Sequence, residues 1–126
     1  MNEYVYLIEA DRNERFVLSV VLTQINNNFK IEHFDNVPEM VAVLKEAVDR
    51  PFVIIFTVAP ALPFCKELIA AANESNVPVV LFSNSTNTKM VAELLLGGLK
   101  YIFYKEDTIG RIGDTIKEII GLVAKG

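Results

Sequence analysis

Residues 4–11 read YVYLIEAD, an unbroken β-branched and aromatic run that ends in an acidic turn. A continuous apolar run without polar alternation is typical of a strand buried on both faces of a parallel sheet. A second such run, residues 52–56 (FVIIF), leads directly into Thr57. The two runs predict central strands of one sheet. The polar residues that follow them are predicted to meet at its carboxyl edge.

Three further strands are predicted from composition and alternation. Phe29 to His33 alternates between apolar and polar residues, as expected near a sheet edge. Val77 to Phe82 is a fourth strand, with Pro78 near its start, where a missing amide does least harm. Tyr101 to Tyr104 is the fifth. The chain therefore contains five candidate strands.

Helices are predicted between and after these strands. The first runs from Asn13 to Ile25. Asn36 is predicted to cap the second helix, with Pro38 in its first turn. A short third helix covers about Phe64 to Ala72, and a fourth covers Thr88 to Leu96 and stops at Gly97-Gly98. Asp107 or Thr108 caps the last. Helical spacing gives the first helix this apolar side: Phe16, Val17, Val20, Val21 and Ile25.

Strands that alternate with helices predict an α/β fold with a doubly wound, five-stranded parallel sheet and helices on both faces. The flavodoxin-like strand order 2-1-3-4-5 is the natural choice for this element order. In such folds functional groups lie beyond the carboxyl ends of strands one and three, at the topological switch point. Asp11 and Thr57 are predicted to lie there.

Composition limits the class of protein. The chain has 126 residues, of which 52% are hydrophobic, so we expect one domain spanning residues 1–126. A formal charge of -4 gives no general attraction to nucleic acid or anionic lipid. The apolar runs are too short to span a membrane. A single cysteine, Cys65, cannot form an internal disulfide, and a cytoplasmic location is expected.

Several motifs along the chain are found together in one family. They are the acidic turn Glu9-Ala10-Asp11, Thr57 at the end of strand three, Ser83 at the end of strand four, and Tyr101 and Lys105 around strand five. In this order they resemble the response-regulator receiver domains (CheY-like) of two-component signal transduction and phosphorelays. The resemblance covers essentially the whole chain and implies the same fold.

The resemblance also shows what this chain lacks. Ala10 stands where receivers carry one of two adjacent aspartates that help hold Mg²⁺, and Thr57 stands at the phosphoacceptor aspartate. Ser83 matches the hydroxyl that contacts the phosphoryl group, and Tyr101 matches the aromatic switch residue. Lys105 lies one residue later than the family's lysine, which in an extended strand reverses the face of the side chain. The resemblance therefore implies a degenerate receiver, a pseudo-receiver.

Two of these residues keep alternative interpretations. Asp11 is a weak candidate ligand for Mg²⁺, with Glu9 as a partial substitute for the missing acid. Because Mg²⁺ prefers several oxygen ligands in a strict geometry, we expect at best weak binding and no other cofactor. The alternative for Asp11 is a helix cap. The hydroxyl of Ser83 could equally well bond to the backbone.

The expected function is signalling through protein contacts, with no enzymatic activity and no control by aspartyl phosphate. The resemblance implies that a protein partner or a second copy binds through helix 4, strand 5 and helix 5, with Lys100, Tyr101 and Tyr104 on that face. The alternative is a small-molecule sensor that uses the crevice between Asp11, Thr57 and Ser83.

Three other residue groups have structural interpretations. His33 has no second histidine or cysteine close to it in the sequence, so neither a metal site nor nucleophilic catalysis is indicated. Cys65 lacks an adjacent base and is predicted to be a small helix residue. Gly97-Gly98 closes a helix, so it is a cap and not a phosphate-binding loop.

Overall fold

The computed structural model describes residues 4–9, 11–56, 62–83, 88–104 and 112–125. Strands and helices alternate along the whole of this described chain. In order they are β1 (Tyr4–Ile8), α1 (Arg12–Ile25), β2 (Lys30–His33), α2 (Val37–Glu46), β3 (Val53–Phe56), α3 (Leu62–Glu74), β4 (Val79–Ser83), α4 (Thr88–Leu96), β5 (Tyr101–Tyr104) and α5 (Ile112–Lys125).

The five strands form one parallel sheet in the order β2-β1-β3-β4-β5, which confirms the predicted topology. β1 lies next to β2 and β3, with Leu7 opposite both His33 and Ile55. β3 pairs with β4, and β4 pairs with β5. All carboxyl ends of a parallel sheet lie on one edge, so the residues after β1, β3, β4 and β5 share that edge.

The sheet separates two hydrophobic cores, because successive strand residues point to opposite faces. Ile54 and Phe56 of β3 belong to the larger core, under α2, α3 and α4, which also contains Met40, Leu68 and Leu94. Val53 and Ile55 belong to the second core, under α1 and α5, with Leu18, Leu22 and Ile119. All four β3 residues are 0% exposed. The helices therefore cover both faces of the central strands.

The predicted apolar side of α1 is wrong for three of its five residues. Phe16, Val17 and Val20 are 70%, 44% and 36% exposed. Leu18 and Leu22 are buried instead, and Val21 and Ile25 pack beside them. These four residues follow the i, i+3, i+4, i+7 spacing of one helical face. Because α1 carries apolar residues around most of its circumference, spacing alone left the buried face ambiguous.

Most other element predictions are confirmed within a few residues. Asn36 caps α2 by accepting a hydrogen bond from the Glu39 amide at 2.8 Å, as predicted. α3 begins at Leu62 and ends at Glu74, so it is longer than the sequence indicated. β4 starts at Val79 instead of Val77, because Pro78 has no amide to donate to a neighbouring strand. The Pro78 carbonyl still accepts a bond from the Ile54 amide.

α3 and α4 end in similar backbone turns at the amino edge of the sheet. Asn76 follows α3 with φ of 57°, and Gly98 follows α4 with φ of 108°. The next amides close the turns, Val77 to the Ala72 carbonyl and Leu99 to the Leu94 carbonyl. This is the 6→1 bond of a Schellman cap. Gly97-Gly98 is therefore a helix cap, as predicted.

Among the described residues, no helix combines the length and apolar character needed to cross a membrane.

Candidate functional site

The receiver-type site is predicted at the carboxyl edge of the sheet. Ile8 is opposite Phe56, so Glu9 and Thr57 follow neighbouring positions of paired strands. Ser83 is opposite Tyr104 at the ends of β4 and β5. Ala10, Thr57 and Lys105 lie outside the described residues, and of Ser83 and Tyr104 the structure describes the strand positions only. The register thus brings together the ends of the four predicted strands.

Asp11 caps α1. Its Oδ1 accepts hydrogen bonds from the amides of Asn13 at 2.8 Å and Glu14 at 3.1 Å. Two of the amides that a helix leaves unpaired at its start are thereby satisfied. The negative charge also lies at the favourable end of the helix dipole. The helix-cap interpretation of Asp11 is confirmed.

Glu9 is the one buried charged residue among those described, at 1% exposure. Its Oε1 accepts a hydrogen bond from the Asp11 amide at 3.0 Å. Because a buried carboxyl group is stable only with hydrogen-bonding partners, this contact ties Glu9 to the turn that precedes α1. Glu9 therefore supports the backbone at the position where receivers hold an acid.

His33 and Arg15 form a polar link that the sequence did not predict. Arg15 Nη1 lies 3.1 Å from His33 Nδ1, and His33 Nε2 lies 3.1 Å from the Glu9 carbonyl oxygen. Since a guanidinium can only donate, Nδ1 accepts, and Nε2 carries the proton and donates to the carbonyl. The link joins α1, β2 and the acidic turn. The sequence carries no local signal for this link, because Arg15 and His33 lie 18 residues apart.

The described acids of the turn after β1 are Glu9 and Asp11, and Mg²⁺ is the ion that receiver domains hold there. The ion takes near-octahedral oxygen ligands, with one or two carboxylates in its shell. Oδ1 of Asp11 is occupied by two helix amides, and Oε1 of Glu9 by the Asp11 amide. Within the described ranges, no three His, Cys, Asp or Glu side chains converge on a possible ion position. Among the described residues, Glu9 and Asp11 thus each have one carboxylate oxygen engaged in holding the turn before α1.

A second candidate surface lies along α4 and β5. Leu95 is 50% exposed and Leu96 is 89% exposed at the end of α4. Lys100 is exposed and Tyr101 is partly exposed at the start of β5. Tyr101 also packs against the core under α1 and α5. The predicted partner face therefore presents apolar groups beside a lysine.

An ion pair between α3 and α4 shows which flank of α4 lies next to α3 and which flank faces this surface. Lys66 Nζ of α3 lies 3.5 Å from Glu93 Oε2, so Glu93 is on the α3 side. Residues two apart are about 200° apart around a helix, which places Leu95 on the flank away from α3. Glu93 is therefore turned toward α3 and away from the predicted partner face.

Cys65 is 0% exposed inside α3, in the larger core. Burial raises the pKa of its thiol from 9.0 to about 11. Because the thiolate is the reactive form, a raised pKa makes the side chain a poor nucleophile. The prediction that Cys65 is a structural residue is confirmed.

Comparison with known proteins gives a structural likeness and no sequence match. No family model matches the chain, and no curated protein matches it. Among solved structures, the phosphorylated cyanobacterial phytochrome response regulator RcpA has a TM-score of 0.78 at 16% identity, over 94% of this chain and 91% of that one. The receiver domain of a histidine kinase from Syntrophus aciditrophicus has a TM-score of 0.77 at 19% identity, over 98% and 91%.

A third solved structure is the receiver domain of the Pseudomonas aeruginosa sensor histidine kinase PA1611, with a magnesium ion in its active-site cleft. It has a TM-score of 0.69 at 14% identity, over 96% of this chain and 99% of that one. The chain thus has the fold of response-regulator receiver domains. At these identities the likeness establishes the fold, and the chemistry of the site has to be argued from this chain's own residues.

Proposed function

We propose that this chain is a receiver-like signalling module that acts through protein contacts and is not switched by aspartyl phosphate. The sequence has no aspartate between Asp49 and Asp107, so none lies directly after the end of β3. A threonine hydroxyl at position 57 does not form an acyl phosphate. With Asp11 capping α1, the proposed role requires neither an enzymatic activity nor a metal cofactor.

The observation that carries the proposal is the exposed pair Leu95 and Leu96 next to Lys100 and Tyr101. Contiguous exposed apolar groups bordered by charge are typical of protein interaction sites. Tyrosine supplies a large contact area and is frequent among residues that dominate binding. The proposed occupant is a second copy of the chain or a protein partner that covers α4, β5 and α5.

The first test is self-association measured by sedimentation at increasing protein concentration. Replacing Lys100 and Tyr101 together by alanine should weaken association about tenfold, since contact residues of this kind contribute about 1 kcal/mol or more. Leu96→Ser should act in the same direction. Phe16→Ser is the matched control, because it removes another largely exposed apolar group, at 70% exposure compared with 89% for Leu96, from α1.

Thr57→Ala is the second control, since the proposal gives that position no role in association. If the wild-type chain stays monomeric, the same variants are tested for binding to a purified candidate partner. Association that depends on Thr57 or Phe16, and not on Leu96, Lys100 or Tyr101, would contradict the proposal.

The alternative is a small-molecule sensor at the carboxyl edge. Its support is the polar link of Arg15, His33 and Glu9, which places hydrogen-bonding groups near the predicted crevice. A sensor of this kind should respond to Thr57→Ala and Arg15→Met. Sensitivity to these two changes would favour the alternative over the contact role.

A further inference from the structure

A cavity of about 400 Å³ opens at the amino edge of the sheet, opposite the edge that carries the predicted site. It lies between the C-terminal ends of α3 and α4, the starts of β4 and β5, and Val123 of α5. Cavities that hold small ligands measure about 300–1,000 Å³. The cavity is therefore large enough for a small organic molecule.

The floor of the cavity is apolar. Ile69, Val77, Val79, Leu99 and Val123 line it, and each is between 2% and 7% exposed. Tyr101 and Pro78 complete the lining and are half-buried. A floor of this kind favours a ligand with an apolar body, because burial of apolar surface is the main favourable term in such sites.

The rim carries two side-chain amides, from Asn73 and Asn76. Asn73 Nδ2 lies 2.9 Å from the position that a Cβ on residue 98 would occupy, so glycine at that position leaves room for the amide. Asn76 has φ of 57°, which fixes its Cα at the turn after α3. Both amides can donate hydrogen bonds and accept them.

The charged group of the cavity lining is a lysine. Val123 lies in the last turn of α5, so the C-terminal ends of α3, α4 and α5 lie at this edge. Closing bonds reach the last turns of two of them: the Asn73 carbonyl accepts from the Asn76 amide, and the Leu95 carbonyl from the Gly98 amide. In addition, Nη1 of Arg50 donates a hydrogen bond to the Ser75 carbonyl at 2.8 Å. Lys100 is the one charged residue of the lining described here. A lysine on the same rim as two side-chain amides matches an anionic group.

We propose that this cavity binds a small carboxylate with an apolar ring or chain. The carboxylate lies at Lys100 and accepts hydrogen bonds from the amides of Asn73 and Asn76. The apolar part lies on the floor. Because Lys100 and Tyr101 also belong to the proposed partner face, occupancy would be coupled to association. This inference goes beyond the contact role and stands without it.

The test uses three probes of nearly the same shape: benzoate, benzamide and benzylamine. Amide chemical shifts of the ¹⁵N-labelled chain are followed during titration at constant ionic strength. Benzoate should shift the amides of Val77, Leu99 and Tyr101 saturably and bind tightest, and benzylamine should bind weakest. Equal affinity for the three probes, or shifts confined to other residues, overturns the proposal, as does absence of saturable binding by benzoate.

Two variants and a control assign the contacts. Lys100→Met should weaken benzoate binding about tenfold, the equivalent of one charge-assisted hydrogen bond, and change benzamide binding less than twofold. Lys89→Met is the control, because Lys89 is exposed on α4 and does not line the cavity. Asn76→Gly keeps the left-handed turn and removes one amide, so it should weaken benzoate severalfold.

The same variants separate this inference from the proposed function. Asn76 is not part of the α4, β5 and α5 face, so Asn76→Gly should leave self-association unchanged. Loss of benzoate selectivity in Lys89→Met to the same degree as in Lys100→Met overturns the assignment of the site, whatever the association measurements show.

Discussion

At the residue scale, Asp11 has a structural role as the cap of α1. Its carboxylate accepts two amide hydrogen bonds at the start of α1. The neighbouring acid, Glu9, is buried and bonded to the Asp11 amide. Glu9 and Asp11 are therefore parts of the connection between β1 and α1, and we expect their removal to lower the free energy of unfolding.

We expect Asp11→Ala to lower the free energy of unfolding by about 1 kcal/mol, the usual effect of losing a helix cap. Asp11→Asn should lose much less, because its side-chain oxygen can still accept. Urea denaturation with and without Mg²⁺ measures both. A stabilisation of about 2.7 kcal/mol by the ion would require Mg²⁺ near a hundred times its dissociation constant. Such a shift at sub-millimolar Mg²⁺ would refute weak binding.

Position 57 leads to a prediction about modification. Incubation with acetyl phosphate and Mg²⁺ should leave the intact mass unchanged, because Thr57 offers no carboxylate to phosphorylate. The double variant Ala10→Asp, Thr57→Asp is the positive control and should bind Mg²⁺ more strongly. Addition of one phosphoryl mass to the unmodified sequence would show that the site alignment is wrong.

At the element scale, helix α1 differs from its prediction, because its buried face is not the one that the sequence indicated. Leu18 and Leu22 are 2% and 0% exposed, whereas Phe16 is 70% exposed. An amphipathic helix with extra apolar residues has two possible inward faces by pattern alone. Contact with α5 and the sheet chooses between them, and that choice is a tertiary effect.

Two substitutions test this assignment. Leu22→Ala should destabilise the domain by about 2–5 kcal/mol, because it leaves a cavity in the core under α1 and α5. Phe16→Ser should change the free energy of unfolding by no more than about 0.5 kcal/mol, as for other surface substitutions. Chemical denaturation of both variants measures the difference. A larger loss of stability for Phe16→Ser than for Leu22→Ala would show that the buried face of α1 is assigned wrongly.

The positions of the strands are easier to predict from the sequence than the buried faces of the helices. Continuous apolar runs located β1 and β3 because strands buried on both faces tolerate few polar residues. Pro78 shortened β4 for a reason visible in the sequence. The link between Arg15 and His33 was not predictable, since it joins residues 18 apart in sequence and depends on the pairing of β1 with β2. Long-range polar contacts of this kind follow from topology and not from local pattern.

At the scale of the whole molecule, the larger core, which contains both Cys65 and Tyr6, affects the response to alkaline pH. Burial raises the pKa of Cys65 to about 11. The pKa of Tyr6 is also raised, mainly by burial and to a smaller extent by the charges of Glu32 and Tyr4. Both groups therefore stay neutral in the folded chain at pH values where they ionise in the unfolded chain. The stability they contribute is fully present below about pH 9 and is lost as the pH rises above it.

We expect the free energy of unfolding to fall between about pH 9 and 11, with Cys65 contributing of the order of 2 kcal/mol. Cys65→Ala should show a shallower decline over the same range. Denaturation midpoints measured across this range check both slopes. An identical decline in the wild type and in Cys65→Ala would show that the thiol does not contribute.

The burial of Glu9 also limits which acids the turn can carry. An aspartate introduced at position 10 would lie in sequence between Glu9, a carboxyl group at 1% exposure, and Asp11, so like charges would crowd the turn whenever no cation was bound. The single variant Ala10→Asp should therefore be less stable than the unchanged chain in the absence of a divalent cation.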